Sequence, residues 1–350
     1  MTSTDSGTAG MPPAAPRYAQ LAEIGAMRQV CRIDRLVHEE GPARGARLVR
    51  MVTGGGLELE IHPDRCLDIG AVTFRGAPVA WSGPAPPAAP AFVDPHGDGW
   101  LRTFSGGLLV TCGLDQVGSP SQDGPEPLGL HGRASGLAAE HLSTRAAWTT
   151  DGRYELEVSA RMRQARLFGE NLVLERRISS AWGAASFTVE DTVRNEGRRP
   201  HPHLLLHHVN LGWPLLEEGA VVDVPSVDVI ARDNDAAAGL AHWREVPPPA
   251  ERFPEQVLRH DLPPEPALAV SVTNTRRDLR LEMQVDGTAM PYLFQWRLFE
   301  SGVYVMGLEP STVPTVDGRG ALRAMGAVPE LQPGEQRTYR LDIAVGPAAG

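Results

Sequence analysis

One carboxylate and three histidines stand in stretches that are otherwise apolar or rich in glycine. Glu309 closes the alternating run VYVMGLE, His207 and His208 lie in HLLLHHVNLGW, and His131 lies in LHGR. A carboxylate and an imidazole can act as general base and general acid, because burial and neighbouring charges can shift the pKa values of both towards neutral pH. Each has a structural alternative: Glu309 could be a strand end that meets water, since Pro310 should stop the strand, and His131 could be a hydrogen-bonded structural residue.

The two adjacent histidines cannot both face one site. Side chains alternate between the two faces of a β-strand, so His208 shares a face with Asn210 and His207 points the other way. At least one histidine of this pair is therefore expected to be structural.

A metal site is an alternative use of the same stretch. Imidazole and carboxylate groups are ligands for zinc and similar ions, and two histidines two residues apart on a strand can bind one ion. The candidate ligands are His201, His203, His207, His208 and Glu309. Their spacing matches no compact metal motif, so we expect no metal and no other cofactor.

Further candidates lie in three other segments. Arg65 and Asp68 stand three residues apart in PDRCLDIG, either as binding residues or as a turn salt bridge of little energetic value. Asp115 and Gln116 lie in a glycine-rich segment that lacks the spacing of a phosphate-binding loop. Trp296, in FQWRLFE, is either a flat binding platform or a core tryptophan.

Strands must position these residues. Runs such as GLELEIH, YELEVSARMRQ, NLVLERRISS and LRLEMQVD alternate apolar and charged residues, as half-buried antiparallel strands do. Because 37 glycines and 31 prolines punctuate the chain, the pattern predicts an all-β sandwich or barrel. Helices are expected only in short places, around 18–37 and 234–246. We predict a disordered tail over 1–17 and a single domain over 18–347.

The composition excludes several classes of protein. The net charge is −10 and the basic residues are scattered, which argues against nucleic-acid binding. No stretch approaches the roughly 18 apolar residues of a membrane span, and the first residues lack the features of a secretory signal. We therefore expect a cytoplasmic monomer or homodimer whose partner is a small molecule, not a nucleic acid or a membrane.

Taken in order, the motifs resemble those of the galactose mutarotase-like (aldose 1-epimerase) superfamily. PDRCLDIG, GGLLVTCGLDQVG, LHGRASG, HHVNLGWPLL and YVMGLEPST are similar to a set that includes an LHGG-type segment, an NHxYFNL-type strand and a late strand with a cLExQ-type motif. The likeness spans about residues 20–347 and is greatest to a divergent branch of unknown function. It implies a β-supersandwich, mainly antiparallel with few short helices, that holds a sugar in an open groove.

The resemblance also implies catalytic roles. Glu309 matches the catalytic base, a histidine of 207–208 the catalytic acid, and His131 a substrate-orienting histidine. The histidine of the family motif stands four residues before the asparagine, whereas here it stands two or three before Asn210. Since His208 shares a face with Asn210, we assign the acid to His208.

A sugar site needs hydroxyl ligands and a platform as well. The NRI-type segment that supplies a sugar-binding arginine in the family is not present, and Arg65 is our candidate replacement. Together the predicted substrate-binding residues are Arg65, Asp68, Asp115, Gln116, Asn210 and Trp296.

These expectations define an isomerase of aldose 1-epimerase type. It would interconvert the anomers of a free sugar, or carry out a related epimerisation or isomerisation. A base would take the proton of the C1 hydroxyl while an acid on the opposite side of C1 protonates the ring oxygen. Two alternatives remain: a non-catalytic carbohydrate-binding protein, and a metal-dependent sugar isomerase or lyase on the same fold.

Overall fold

The computed structural model describes residues 20–349, which form mainly antiparallel strands. In chain order these are β1 Arg32–Val37, β2 Arg47–Val52, β3 Leu57–His62, β4 Asp68–Phe74, β5 Ala77–Pro78, β6 Leu109–Leu114, β7 Ser121–Asp123, β8 Glu126–Leu128, β9 Glu140–Trp148, β10 Tyr154–Ala165, β11 Asn171–Ala181, β12 Ser186–Asn195, β13 His201–Pro202, β14 Leu204–Leu211, β15 Val221–Asp223, β16 Asp228–Ala231, β17 Gln256–Asp261, β18 Leu268–Asn274, β19 Leu279–Val285, β20 Tyr292–Glu300, β21 Val303–Ser311, β22 Glu330–Leu331 and β23 Gln336–Gly346.

Helices are few and short. The α-helices are α1 Asn234–Gly239 and α2 Arg319–Ala324, and 3-10 turns occupy Gln20–Glu23, Met27–Gln29, Pro90–Phe92, Gly99–Arg102, Ala134–Gly136 and Leu240–His242. Within residues 20–349, no helix has the length and apolar character needed to cross a membrane. The predicted tail over 1–17 lies outside the described residues.

Two sequence expectations about element bounds are wrong. The helical structure expected around 18–37 is limited to the 3-10 turns at Gln20–Glu23 and Met27–Gln29. Arg32–Val37 forms β1 instead, because RIDRLV pairs along its whole length with β2. Pro310 does not end β21, which continues to Ser311. Neighbouring strands β14 and β20 hold β21 on both sides, so the loss of one N–H donor does not release the strand.

Two large sheets stack face to face, as predicted for an all-β protein. The larger runs β1-β2-β3-β4-β6-β14-β21-β20-β17-β16, with β5 beside β4, and the smaller runs β15-β18-β19-β23-β12-β11-β10-β9. Alternating residues point inward from both sheets into one apolar core, for example Leu57, Leu59 and Ile61 from β3 against Leu156 and Val158 from β10. This alternation is why the charged residues of the same strands remain on the outside.

A buried polar network crosses this core and determines how β14 faces. Arg176 of β11 ion-pairs with Asp191 at 2.6 Å and with Asp68 of the larger sheet at 3.1 Å, and His207 Nε2 lies 2.8 Å from Asp191 Oδ2. Burial alone would raise the pKa of Asp191, but the Arg176 guanidinium holds it well below its usual range. Because the network holds His207 on the inner face, His208 points outward.

Candidate functional site

His208 and Glu309 meet on the outer face of the larger sheet. The antiparallel register pairs Val209 with Leu308, which sets His208 and Glu309 opposite each other on neighbouring strands. His208 Nε2 lies 3.3 Å from Glu309 Oε1. The two residues are only 4% and 3% exposed, so the carboxyl and the imidazole face each other with little water around them.

Gly307 makes room for the carboxyl group. A Cβ at this position would overlap Oε1 of Glu309, so the glutamate side chain lies back over its own strand. Trp296 pairs with Gly307 in the β20–β21 ladder and flanks the same space. The glycine two residues before the glutamate is therefore part of what positions the carboxyl.

Aromatic side chains form the walls of the site. The ring centroids of Trp296, Phe104 and Trp100 lie 5.5, 5.6 and 6.2 Å from that of His208. Trp100 is held in place because its Nε1 donates to Ser135 Oγ at 3.0 Å. Trp100 and Phe104 come from the 3-10 turn at 99–102 and the loop after it, where no periodic pattern marked them in the sequence.

His131 lies beside His208, with ring centroids 5.4 Å apart. Its backbone is in the left-handed region, at φ 57°, and is held by hydrogen bonds with Gly113 and Gly118. The Gly118 N–H also donates to His131 Nδ1 at 3.4 Å, so the ring carries its proton on Nε2. Burial lowers the pKa of His131 to about 4, which makes it a neutral donor at physiological pH.

Burial moves the pKa values of the central pair in opposite directions. It raises the pKa of Glu309 well above its usual range, and the negative charge of Glu255 adds to this while Arg232 opposes it. Burial lowers the pKa of His208 well below its usual range, and His131 adds to this. Both shifts favour the uncharged forms, a protonated carboxyl and a neutral imidazole, which together carry one titratable proton.

Unpartnered polar atoms concentrate here. Of nine buried side-chain atoms without a hydrogen-bond partner among the described residues, three are Glu309 Oε1, His208 Nδ1 and Asn210 Oδ1. Asn210 itself is anchored, because its Nδ2 donates to the carbonyls of Gly107 and His208. Buried polar groups are normally satisfied, so this local deficit indicates a place where a polar ligand binds.

A charged rim lies above the pair, and sequence reasoning missed it. Trp296 Nε1 donates to Glu255 Oε1 at 2.9 Å, and Arg232 Nη2 lies 2.9 Å from the other oxygen of Glu255. Arg232 follows β16 and Glu255 precedes β17, so only the folded sheet brings them to Trp296. Trp296 is thus half-buried at the site rather than in the main core.

Three predicted substrate-binding residues have structural partners instead. Asp68 accepts from Thr111 and Arg176. Asp115 accepts from Arg319 Nη1 at 2.9 Å and from Gln164 Nε2 at 2.7 Å.

Gln116 accepts from the Arg319 N–H and donates to the Ser119 carbonyl, both at 2.7 Å. All three residues are buried. The side-chain polar atoms of Asp115 and Gln116 are occupied within the fold, and Asp68 is held there through Oδ1.

Arg65 lies next to the aromatic wall, at the carbonyls of Ser135 and Thr103. Its Nε donates to the Ser135 carbonyl at 2.5 Å, and its Nη1 donates to the carbonyls of Ala88 and Thr103 at 3.3 Å. It is not in a salt bridge with Asp68, the alternative that the sequence left open. Since Ser135 also holds Trp100, Arg65 is linked to the site through one residue.

The remaining histidines point to different places. His201 Nε2 lies 3.6 Å from Asp115, and His203 lies between the Leu114 carbonyl and the Tyr339 hydroxyl. His207 binds Asp191 on the inner face. Within the described part of the chain, no group of three or more His, Cys, Asp or Glu residues is arranged to hold a metal ion.

Comparison with solved structures shows the class of fold. A Klebsiella pneumoniae protein that carries the provisional name aldose 1-epimerase aligns at a TM-score of 0.84 and 25% identity, over 89% of this chain and 83% of the other. A galactose mutarotase-like protein from Clostridium acetobutylicum gives 0.62 at 12% identity, over 91% and 99%. A galactose 1-epimerase from Lactobacillus acidophilus gives 0.59 at 13% identity, over 91% and 99%. The fold is the galactose mutarotase-like β-supersandwich, as the motifs implied.

The chain belongs to the family described as Domain of unknown function (DUF4432), whose profile matches residues 43–345. A search of curated protein sequences finds no match. The resemblance to a divergent branch of the superfamily is confirmed.

Proposed function

We propose that this protein is an isomerase of aldose 1-epimerase type that interconverts the anomers of a free sugar. The observation that carries the proposal is the contact between Glu309 and His208, a buried acid–base pair inside aromatic walls, with polar atoms that have no partner among residues 20–349. Aromatic walls with a few convergent polar groups are typical of small-ligand sites, and Trp296 supplies a face on which a sugar ring can stack.

The proton content of the pair matches the reaction. Ring opening needs one group that accepts the C1 hydroxyl proton and one that donates to the ring oxygen, and ring closure reverses these roles. A pair that shares one proton always offers one acceptor and one donor. The neutral form and the ion-pair form differ only in which member carries the proton, so Glu309 serves as base in one form and as acid in the other.

The geometry modifies the expected arrangement of base and acid. We expected the two groups on opposite sides of C1. Instead, His208 Nε2 and Glu309 Oε1 lie 3.3 Å apart on the same face of the sheet. The hydroxyl oxygen and the ring oxygen are both bonded to C1, so two adjacent groups can reach them from one side. In this proposal the Nε2–H of His131 orients a neighbouring hydroxyl, and Asn210 Oδ1 accepts from another.

Saturation-transfer NMR on a panel of free sugars tests the proposal. Wild type should accelerate anomer exchange for at least one sugar, and His208→Gln should reduce the rate by about 10²-fold or more. Glu251→Gln, which changes an exposed glutamate, is the control. Absence of acceleration for every sugar would contradict the proposal, and sugar binding without turnover would favour a carbohydrate-binding protein. Loss of exchange on chelation would favour the metal-dependent alternative.

A further inference from the structure

A cavity adjoins the candidate site on the same face of the larger sheet. Its lining includes Phe104 and Val110 on the side of the candidate site, and Arg65, His62 and Ser105 farther along. Val110 pairs with His208 in the β6–β14 ladder, and Phe104 touches the His208 ring. The cavity and the candidate site therefore border each other at Phe104 and Val110.

Of the two arginines that line this cavity, Arg65 is the one without a carboxylate partner in the described part of the chain. Its Nε and Nη1 are used by three backbone carbonyls, and none of residues 20–349 forms an ion pair with it. The other lining arginine, Arg47, is neutralised by Asp64, with Nε 2.9 Å from Oδ1. Asp68 is the nearby carboxylate, but Arg176 and Thr111 already engage it.

His62 adds a neutral donor or acceptor beside Arg65. A Cβ at Gly70 would overlap His62 Nε2, so the glycine allows the ring to lie over β4. The ring stacks on that of His38, 6.3 Å away. Burial lowers the pKa of His62 to about 4, helped by the charges of His38 and Arg65, so His62 is uncharged at neutral pH.

We propose that this cavity is a carboxylate-binding subsite and that the sugar is a hexuronate, with its acid group on Arg65 and its anomeric carbon at Glu309 and His208. The inference rests on the proposed function for the position of the anomeric carbon. Because Nε and Nη1 of Arg65 are used by carbonyls, its Nη2 is the nitrogen that can donate a charge-assisted hydrogen bond to a ligand carboxylate. Asp64 and Asp68 line the same cavity, which favours a singly charged acid over a phosphate dianion.

Titration calorimetry on the wild-type protein gives the first test, since it does not depend on a variant that folds. Glucuronate and galacturonate are compared with glucuronamide, glucose and galactose. We expect the uronates to bind about tenfold more tightly than the uncharged ligands, the usual effect of one charge-assisted hydrogen bond. Equal affinity for glucuronate and glucuronamide would overturn the proposal, as would tighter binding of glucose 6-phosphate.

Variants provide the second test. Arg65→Gln should bring the ratio of glucuronate to glucose affinity close to one, and Arg65→Lys should retain part of the preference. The control Arg50→Gln, on β2, should leave the preference intact. Thermal unfolding identifies a variant that loses its fold. In that case the calorimetric comparison of ligands on the wild-type protein decides whether the subsite prefers a carboxylate. A uronate preference without anomer exchange would contradict the proposed function but support this subsite. Anomer exchange of neutral sugars without a uronate preference would support the proposed function but contradict this subsite.

Discussion

Replacing Glu309 by glutamine should remove activity and stabilise the fold at the same time. The carboxyl is 3% exposed and its Oε1 lacks a hydrogen-bond partner among the described residues. An amide of nearly the same shape cannot ionise, so it does not carry the cost of a buried charge. Without its acid–base partner, His208 cannot both donate and accept, and we expect exchange to fall by about 10²- to 10⁴-fold.

The direction of the stability change follows from the raised pKa of Glu309. Above the ordinary value of 4.5, the unfolded chain releases this proton while the folded chain keeps it. Wild-type stability therefore falls as pH rises, by about 1.4 kcal/mol per pH unit, until the folded-state pKa is reached. The contact with His208 offsets part of this loss, so we expect Glu309→Gln to gain about 1–3 kcal/mol at pH 8 and nothing near pH 4.5.

Urea unfolding of wild type and Glu309→Gln at both pH values, with anomer-exchange rates measured on the same samples, checks this prediction. Glu251→Gln controls for the loss of a carboxylate at an exposed position and should match wild type in both measurements. A Glu309→Gln protein that is no more stable than wild type at pH 8 would show that the carboxyl is ionised and satisfied in the fold. That result would refute the pKa argument, and retained exchange activity would refute the catalytic role.

Three other perturbations have outcomes that the structure specifies. Gly307→Ala should lower kcat by about 10- to 100-fold with little loss of stability, since the added methyl displaces the carboxyl of Glu309. Exchange kinetics measure the change in kcat, and thermal unfolding measures the change in stability. Glu255→Gln removes a charge that raises the pKa of Glu309, so the alkaline loss of activity should move to lower pH by a fraction of a pH unit, small because Glu255 is half exposed; a pH–rate profile checks the direction. Asp191→Asn leaves Arg176 buried without its main counter-ion and should cost about 3–5 kcal/mol in urea unfolding, and a cost under 1 kcal/mol would contradict the structural role of the network.

Strand positions were predictable wherever one face is buried and the other is wet. β10 and β19 alternate strictly, and their observed bounds differ from the sequence expectation by at most one residue. β14 is buried on both faces, so its composition does not show which face points to the core. Only the two-residue spacing between His208 and Asn210 placed these two residues on one face and His207 on the other. β1 was missed because an edge strand with half-exposed residues has no distinct apolar face.

The site was predictable only in part. Motif order selected Glu309, His208 and His131, and the fold brings these three together. Trp100 and Phe104 could not be found, because a 3-10 turn and a loop carry no periodic pattern. Asp68 and Asp115 contact buried arginines in the fold, which the sequence did not show, because a polar residue looks the same in sequence whether a ligand or a buried arginine satisfies it.

The order of residues along each strand determined the all-β class and the face to which His208 and Glu309 belong, since side-chain alternation is a local property of the backbone. Tertiary structure alone decided that the two groups touch, that aromatic rings enclose them, and that Arg65 has no carboxylate partner among residues 20–349. These features depend on contacts between segments far apart in the chain. The same contacts exclude water and shift the pKa values, so the chemistry of the pair does not exist before the sheets assemble.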